Sequence, residues 1–441
     1  MRGIVLNIFP SVGPICVMLK ANKIYLNERL MVRKVDVDDG ELRSHFTYDL
    51  GDSVYENFIE TDDAFYVPSN SFHKFKYGSY EDNRVSKPAN IAPFAGKLRW
   101  EQQEVVNKFF AKPQARSGII QAPCGWGKTY TGCSVISRNK TTTLVLVHTK
   151  LLFRQWIEEI KKLLPGTRVG MMGDGLLDIK SVTVGIYKTV HNRLREIKNS
   201  FSLVIVDEAH LCPAEVFSQA LNGINARTKI GITATPKRKD LKHILLPDFF
   251  TPFIVAAKDP RKPYDPSVEI VNTDFKFMVI DPKRDWSRQI NKLCANKDYL
   301  QYLADTAIRK IKNGRVPLIL GERVAMLKTL HKLIPHSVLL IGETTEEKRK
   351  EALENVGSKY RCVLSTKLFD EGISCHRLDT LFLTCPSNNP IKLEQRIGRI
   401  VRKHPDKQTP LVVDFWVRGP IVSRQQKFRL EWYEKRGYYI L

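Results

Sequence analysis

The sequence predicts an α/β protein, with two parallel-sheet lobes preceded by a small, mainly β domain. Three observations lead there. From about residue 91 onward, short apolar runs alternate with stretches of helical period, the pattern of a parallel sheet covered on both faces. The first 90 residues lack that alternation and read as short β-favouring runs between turns. Length agrees, since 441 residues at roughly 150 per domain make about three domains.

In the first segment, residues 1–90, the β runs are 3–8, 15–19, 29–37 and 64–67, and a polar stretch at 81–90 ends it. In the second, residues 91–258, strands are expected at 117–121, 143–147, 182–185, 203–206 and 229–232, with helices such as 100–110 and 151–164 between them. The Pro- and Lys-rich stretch 259–266 breaks this series, so 259–290 reads as a linker. The third segment, 291–441, opens on one helix near 287–312. It continues with strands at 316–320, 337–341, 361–365, 380–383 and 411–415, then a basic and aromatic tail.

Composition narrows the class. With 43% hydrophobic and 27% charged residues, a disordered or fibrous chain is excluded. No run of 18 apolar residues exists, so no transmembrane helix is expected. The 70 Lys+Arg against 47 Asp+Glu leave a net charge of +23. Residues 1–90 hold 11 basic and 13 acidic side chains, a balance of −2, so the rest carries 59 minus 34, or +25. Such an excess points to a polyanion, nucleic acid or an anionic membrane. The eight cysteines (Cys16, Cys124, Cys133, Cys212, Cys294, Cys362, Cys375, Cys385) form no C-x-x-C pair, which excludes a zinc ribbon or a thioredoxin-like site. They read as free thiols in a reducing cytoplasm. The apolar stretch after Arg2 is interrupted by Asn7, Pro10, Gly13 and Pro14, and reads as strands around a turn rather than a signal peptide.

The strongest local signal is Ala122-Pro-Cys-Gly-Trp-Gly-Lys-Thr129, set between an expected strand and an expected helix. A phosphate-cradling loop belongs there, because the loop N–H groups and the helix N-terminus then face the anion. Gly125 and Gly127 let the backbone approach, Lys128 reaches the outer phosphates, and the Thr129 hydroxyl is a ligand for Mg²⁺. The strict pattern begins with Gly where this chain has Ala122, and Trp126 is bulky for such a loop. The second signal is Leu203-Val-Ile-Val-Asp-Glu-Ala-His210, an apolar strand ending in two carboxylates. Asp207 at the strand end is placed to hold Mg²⁺, and Glu208 to orient and deprotonate an attacking water.

At this point the chain resembles the superfamily 2 helicases with the Asp-Glu-Ala-His signature. Leu98-Arg-Trp-Glu-Gln102 resembles the adenine-reading motif of their XPB-like branch, with Arg99 and Gln102 the matching positions. Leu144-Val-Leu-Val-His-Thr149 with Gln155-Trp156 resembles motif Ia, and Val182 to Thr189 the next strand-loop element on the nucleic-acid backbone. Gly231-Ile-Thr-Ala-Thr-Pro236 resembles motif III, Val363 to Ser374 motif V, and Gln395-Arg-Ile-Gly-Arg-Ile-Val-Arg402 motif VI. Many relatives carry Asp at the position of Ser374, so Ser374 is given no ribose contact. Motifs V and VI look most like phage branch-migration helicases of the UvsW type.

The resemblance implies two RecA-like lobes over about residues 91–415, with ATP and Mg²⁺ as cofactors. It places Ala122, Pro123, Cys124, Gly125, Trp126, Gly127, Lys128, Thr129, Asp207, Glu208, His210, Arg99, Gln102 and Gly372 at the nucleotide. Lys128, Glu208, Gln395, Arg399 and Arg402 are then catalytic, and His148, Thr149, Lys188, Thr189, Thr366 and Lys367 contact nucleic acid. Independently of the family, Arg399 and Arg402, three apart, are expected near one face of a helix, where their guanidinium forks suit a γ-phosphate. Lys403 and Arg396 read as the solvated side of that helix.

Trp416, Arg418, Arg424, Lys427, Arg429, Trp432, Lys435, Arg436, Tyr438 and Tyr439 crowd the tail. They suit either a nucleic-acid contact or an amphipathic helix docked on the lobe. In the first segment, Arg33, Lys34, Lys74 and Lys76, interleaved with Phe72, Phe75 and Tyr77, are the candidates for phosphate and base contacts. His45, His73 and His331 lack metal-ligand company and read as structural or exposed. The expected function is an ATP-driven DNA helicase acting on forked or branched DNA. It is expected to be a monomer in a bacterial or phage-infected cytoplasm, or in a nucleus if the source is eukaryotic or viral. The alternatives are a duplex translocase, an RNA helicase or an ATP-gated nucleic-acid clamp.

Overall fold

The structure, a computed structural model, describes residues 18–441 apart from 112–116, 124, 235–239, 259–264, 280, 367–374, 402–403 and 405. The chain divides into two units, Met1–Lys258 and Asp259–Leu441. The β run expected at 3–8 lies outside the described residues.

The first unit opens with a small sheet. Strands β1 (Leu19–Leu26) and β2 (Arg29–Arg33) form a hairpin, followed by α1 (Asp39–Phe46) and a ribbon of β3 (Thr47–Asp49) and β4 (Val54–Glu56). Then come β5 (Ile59–Glu60), β6 (Ala64–Pro68) and β7 (Phe75–Asp82). The sheet order is β5-β6-β2-β1-β7, with β7 parallel to β1 and exposed along the edge. Leu19, Ile24, Leu30, Val32, Phe65 and Phe75 pack with Leu42 and Phe46 of α1. That helix was not anticipated. It is eight residues long and buries only two side chains, too few to show a period.

The rest of the unit is the expected αβ series: α2 (Trp100–Phe110), β8 (Gly118–Gln121), α3 (Lys128–Asn139), β9 (Thr143–Val147), α4 (Lys150–Leu163), β10 (Val169–Gly173), β11 (Leu176–Asp178), β12 (Val182–Ile186), α5 (Tyr187–Asn192), α6 (Leu194–Ile197), β13 (Leu203–Asp207), α7 (Glu215–Asn222), β14 (Thr228–Thr233), α8 (Leu246–Phe250) and β15 (Ile254–Ala256). The sheet runs β11-β10-β12-β9-β13-β14-β8-β15, parallel except where β11 meets β10. Alternate residues of β9 and β13 feed two cores. Val145, Val147, Leu203 and Ile205 face α2, α3 and α4, while Leu144, Leu146, Val204 and Val206 face α5, α7 and α8. Continuous apolar strands result because both faces are covered.

The small sheet docks on this lobe through buried polar groups. Asp248 of α8 is fully buried. It accepts hydrogen bonds from Tyr48 Oη and from Asn57 Nδ2 (2.8 Å), and pairs with Lys74 Nζ at 2.9 Å. Asn70 Nδ2 donates to Phe249 O (2.6 Å), and Lys229 Nζ of β14 donates to Ser69 Oγ and Leu221 O, each at 3.0 Å.

The second unit contains β16 (Ser267–Lys276), α9 (Pro282–Ala295), α10 (Lys297–Lys312), β17 (Pro317–Leu320), α11 (Val324–Leu333), β18 (Ser337–Leu340), α12 (Glu346–Glu354), β19 (Cys362–Ser365), β20 (Thr380–Leu383), α13 (Pro390–Ile397), β21 (Leu411–Arg418), α14 (Pro420–Lys435) and β22 (Tyr439–Ile440). Its parallel sheet runs β18-β19-β17-β20-β21-β16-β22. Two expectations are corrected here. Residues 267–276, read as part of a linker, are a ten-residue strand paired with β21. Lying next to the edge, β16 buries few side chains, Val268 and Thr273 among them, and so lacks a strong apolar signal. The helix expected at 287–312 is two helices. Asn296 ends the first and caps the second, its Oδ1 accepting from Tyr299 N at 2.9 Å.

Candidate active site

Strand β8 delivers the chain into the glycine-containing loop. Ala122 is fully buried in the core, and its N–H donates to Thr233 O at 2.9 Å, so a methyl group is accommodated where the strict pattern has Gly. Gly125 and Gly127 have φ of +76° and +93°, the left-handed region that favours glycine. A Cβ on Gly127 would also stand 2.6 Å from Gln102 Nε2. Lys128 then begins α3, so the helix N-terminus and its free N–H groups face the loop. Trp126 is not an exposed intruder. It is buried, and its indole N–H donates to Lys258 O at 3.2 Å. Arg99 Nη2 and Gln102 Nε2 both donate to Trp126 O, at 2.5 and 3.0 Å, and Gln102 Oε1 accepts from Arg99 N. The two residues expected at the adenine thus also anchor the phosphate loop. Pro123 O accepts from Trp126 N, Thr129 is half-buried in the first turn of α3, and Cys124 lies outside the described residues.

The carboxylates sit at the end of β13, every residue of which is buried. Glu208 adopts a left-handed backbone (φ 55°, ψ 53°), a conformation that costs a non-glycine residue about 1 kcal/mol or more. Glu208 Oε1 lies 3.2 Å from Lys128 Nζ, and Oε2 lies 3.3 Å from His210 Nδ1. His210 Nδ1 is in turn 3.0 Å from Thr233 Oγ1. Asp207 accepts from Glu208 N at 3.0 Å on one oxygen and from Trp156 Nε1 at 2.9 Å on the other. The proton affinities of the pair are driven apart. Burial and the Glu208 anion push Asp207 up. Burial also acts to raise Glu208, but Lys128 and His210 outweigh it and hold Glu208 well below the usual carboxylate range. One ammonium, two carboxylates, a hydroxyl and a helix N-terminus on a glycine cradle fit the phosphates of a nucleotide with a divalent cation.

The nucleic-acid candidates of the first unit share this edge. His148 and Thr149 follow β9, and Lys188 and Thr189 lie in the first turn of α5 after β12. β9 and β12 are paired neighbours, with Val147 opposite Ile186. Lys188 is exposed and Thr189 half-buried, while Thr149 Oγ1 caps α4 by accepting from Leu152 N at 3.2 Å. In the second unit, Thr366 follows β19 and Gln395 lies half-buried on α13. Lys367, Gly372, Ser374, Arg402 and Lys403 lie outside the described residues, as do Thr235 and Pro236 of motif III.

Several expectations change. The helix expected to carry Arg399 ends at Ile397. From there, Arg399 N and Ile400 N bond three residues back, at 3.1 and 3.0 Å. Gly398 weakens the helix at that point. Arg396 is buried and pairs with Glu322 at 3.3 Å instead of facing solvent. Of the tail's two readings the structure holds the docked helix. Asp414 accepts Arg429 at 2.8 and 3.0 Å and Tyr433 Oη at 3.0 Å, and Arg436 pairs with Glu394 at 2.9 Å. In the small sheet, Arg33 pairs with Asp36, Lys34 with Glu60 and Lys74 with Asp248. Phe75 is in the core and Phe72 lies under Arg84, so of that set Lys76 and Tyr77 remain exposed, together with the ion-paired Arg33. His45, His73 and His331 bond to Glu41 O, Asn70 O and Ser337 Oγ. Trp156 and Thr233 went unassigned because sequence spacing does not show which distant carboxylate or imidazole a side chain meets.

Comparison with known proteins agrees with this geometry. The family described as "Type III restriction enzyme, res subunit" matches residues 95–238, and "Helicase conserved C-terminal domain" matches 297–404. The chain is 27% identical over 364 residues to the "Probable helicase D10" of Escherichia phage T5, covering 81% of this chain and 79% of that protein. It is 26% identical to the "DNA 3'-5' translocase XPB2" of Sulfurisphaera tokodaii, covering 76% and 85%. It is 32% identical to the "Putative helicase 109L" of Invertebrate iridescent virus 3, covering 51% and 70%. The chain belongs to the superfamily 2 helicases, on their XPB-like branch, and shares with them an ATP-dependent helicase activity.

Proposed function

We propose that the chain is an ATP- and Mg²⁺-dependent DNA helicase or translocase that works as a monomer on forked or branched DNA, as branch-migration enzymes do. One observation carries the reading. The phosphate loop, the carboxylate pair, His148–Thr149 and Lys188–Thr189 all stand at the C-terminal ends of neighbouring parallel strands of one sheet. Displacement at the nucleotide, held at β8 and β13, then passes through the sheet to β9 and β12, which present the nucleic-acid contacts. Relatives named as a DNA translocase and a DNA helicase support DNA as the substrate, while two others carry RNA helicase names. The net charge of +25 on residues 91–441 suits either polymer, and among the described residues no helix is long and apolar enough to cross a membrane.

Lys128, paired with Glu208 at 3.2 Å, is the cation that would turn to the outer phosphates. Released from it, Glu208 loses the charge that depresses its proton affinity and becomes a better base toward the attacking water. Held by Asp207 and Thr129, Mg²⁺ would neutralise charge on the phosphates. The resemblance gives Arg399 and Arg402 the role of guanidinium donors to the transferring γ-phosphoryl group. His210 sits between Glu208 and Thr233, so the water-orienting group is joined to motif III. For branch recognition we assign the exposed edge β7, where Tyr77 and Tyr80 meet edge to face at 5.7 Å beside Lys76.

The test is Glu208→Gln with ATPase measured on single-stranded, duplex, forked and four-way DNA, and on RNA. The variant should bind nucleotide yet lose at least about 100-fold in turnover, and the wild type should be stimulated most by forked or four-way DNA. Near-normal turnover in the variant refutes the role of Glu208, and preference for RNA refutes the substrate. Replacing Lys76, Tyr77 and Tyr80 by Ala should impair junction processing while ATPase on single strands persists.

A further inference from the structure

Trp156 lies midway along α4, with its side chain completely buried. Its indole N–H donates to Asp207 Oδ2 at 2.9 Å, and the Glu208 N–H donates to Asp207 Oδ1 at 3.0 Å. The carboxylate is therefore held at both oxygens, one of them by a side chain from another element. The ring reaches Asp207 by crossing α3, the helix that follows the phosphate loop, at Gly132. A Cβ on Gly132 would stand 2.4 Å from Trp156 Cη2 and 3.4 Å from Ile232 Cδ1 of β14. Packing alone would be met by any large apolar ring at this position. Only the indole also provides a donor, and a hydrogen bond to a buried carboxylate is of the strong, charge-assisted kind.

We propose that Trp156 is a positioning residue for Asp207. Its N–H fixes the orientation in which the carboxylate meets Mg²⁺, and Gly132 is the glycine that lets the indole lie there. The same ring makes α4, capped by Thr149 at the nucleic-acid edge, a direct neighbour of the cation-holding group. This rests on the reading of Asp207 as the residue that holds the cation. Partners that orient a metal's ligands in this way contribute about 10–100-fold to metal affinity.

The experiment replaces Trp156 by β-(3-benzothienyl)alanine, which keeps the shape and deletes only the N–H, with Trp156→Phe and Asp207→Asn in parallel. Binding of a fluorescent ADP analogue is titrated with Mg²⁺ and repeated in EDTA, and melting temperature is recorded. The benzothienyl protein should need about 10-fold more Mg²⁺ for half-maximal tightening of nucleotide binding. Its affinity in EDTA and its melting temperature should stay at wild-type values, and Trp156→Phe should show the same Mg²⁺ shift. Unchanged Mg²⁺ dependence in the benzothienyl protein overturns the proposal while leaving Asp207 as the cation holder. If Asp207→Asn also leaves Mg²⁺ dependence unchanged, the cation reading of Asp207 falls, and the proposal falls with it.

Discussion

Lys229 offers a test of how the small sheet is held to the first lobe. Its side chain is fully buried on β14. Two acceptors, Ser69 Oγ and Leu221 O, lie 3.0 Å from Nζ, which matches the two N–H bonds of a neutral amine. Burial, with Arg84 and Arg29 adding repulsion, pushes the ammonium down to about 7, and only Glu28 and Cys212 act the other way. In the unfolded chain a lysine titrates near 10.4. Between these values the unfolded state binds a proton that the folded state does not, so stability rises with pH across that window. Integrated from pH 7 to pH 9, the gain is about 2 kcal/mol. For a unit of this size that corresponds to roughly 4–8 °C in Tm. Lys229→Met cannot titrate, and the donors it removes are missing equally at every pH. Calorimetric melts of both proteins at pH 7, 8 and 9 should show the wild type gaining those degrees relative to the variant. Parallel curves would refute a buried, neutral Lys229.

Asp248→Ala leaves Lys74, Tyr48 and Asn57 without their shared acceptor. It should cost about 3–5 kcal/mol, read as a fall of roughly 6–20 °C in the melting of the first unit; a fall under about 2 °C would show the contact is dispensable. Asp414→Asn, which disturbs the buried Arg429 and Tyr433 partners, should destabilise the second unit by a comparable amount, measured by urea unfolding of the full chain. Nucleic-acid affinity should fall about 10³-fold or more between 50 and 200 mM salt if six or more phosphates are contacted, and a flat response in anisotropy titrations would show the basic charge facing another partner.

The parallel lobes were legible because their strands are covered on both faces, so 144–147 and 203–206 are unbroken apolar runs whatever lies around them. Elements near an edge were not. β16 reads as linker because it buries few side chains, and α1 is silent because Leu42 and Phe46 are its only buried residues. The break at Asn296 was readable in principle, since Asn before a helical stretch is an N-cap signal, but the period continues across it in almost the same phase. The basic residues of the small sheet misled for a different reason. Charge counts do not reveal partners: Arg33 meets Asp36 three residues on, while Lys34 and Lys74 each meet a carboxylate that only the fold brings close.

The site divides along the same line. Lys128, Asp207 and Glu208 were found because their chemistry demands a glycine loop and a strand end, and both leave local marks in the sequence. What holds them in place leaves none. Trp126 is joined to Lys258 across 132 positions, Trp156 to Asp207 across 51, and Lys128 to Glu208 across 80. Each tether uses one donor and one acceptor from elements that touch only after the sheet has formed, so no spacing rule can find it. Trp126 shows the consequence most clearly. In the loop pattern it is an oversized residue, whereas in the fold its carbonyl receives Arg99 and Gln102 and its indole reaches the end of the lobe. The residue that fits the motif worst is the one through which the adenine-side residues, the phosphate loop and the last residue of the first unit are joined. A change at any of these three is therefore felt by the other two.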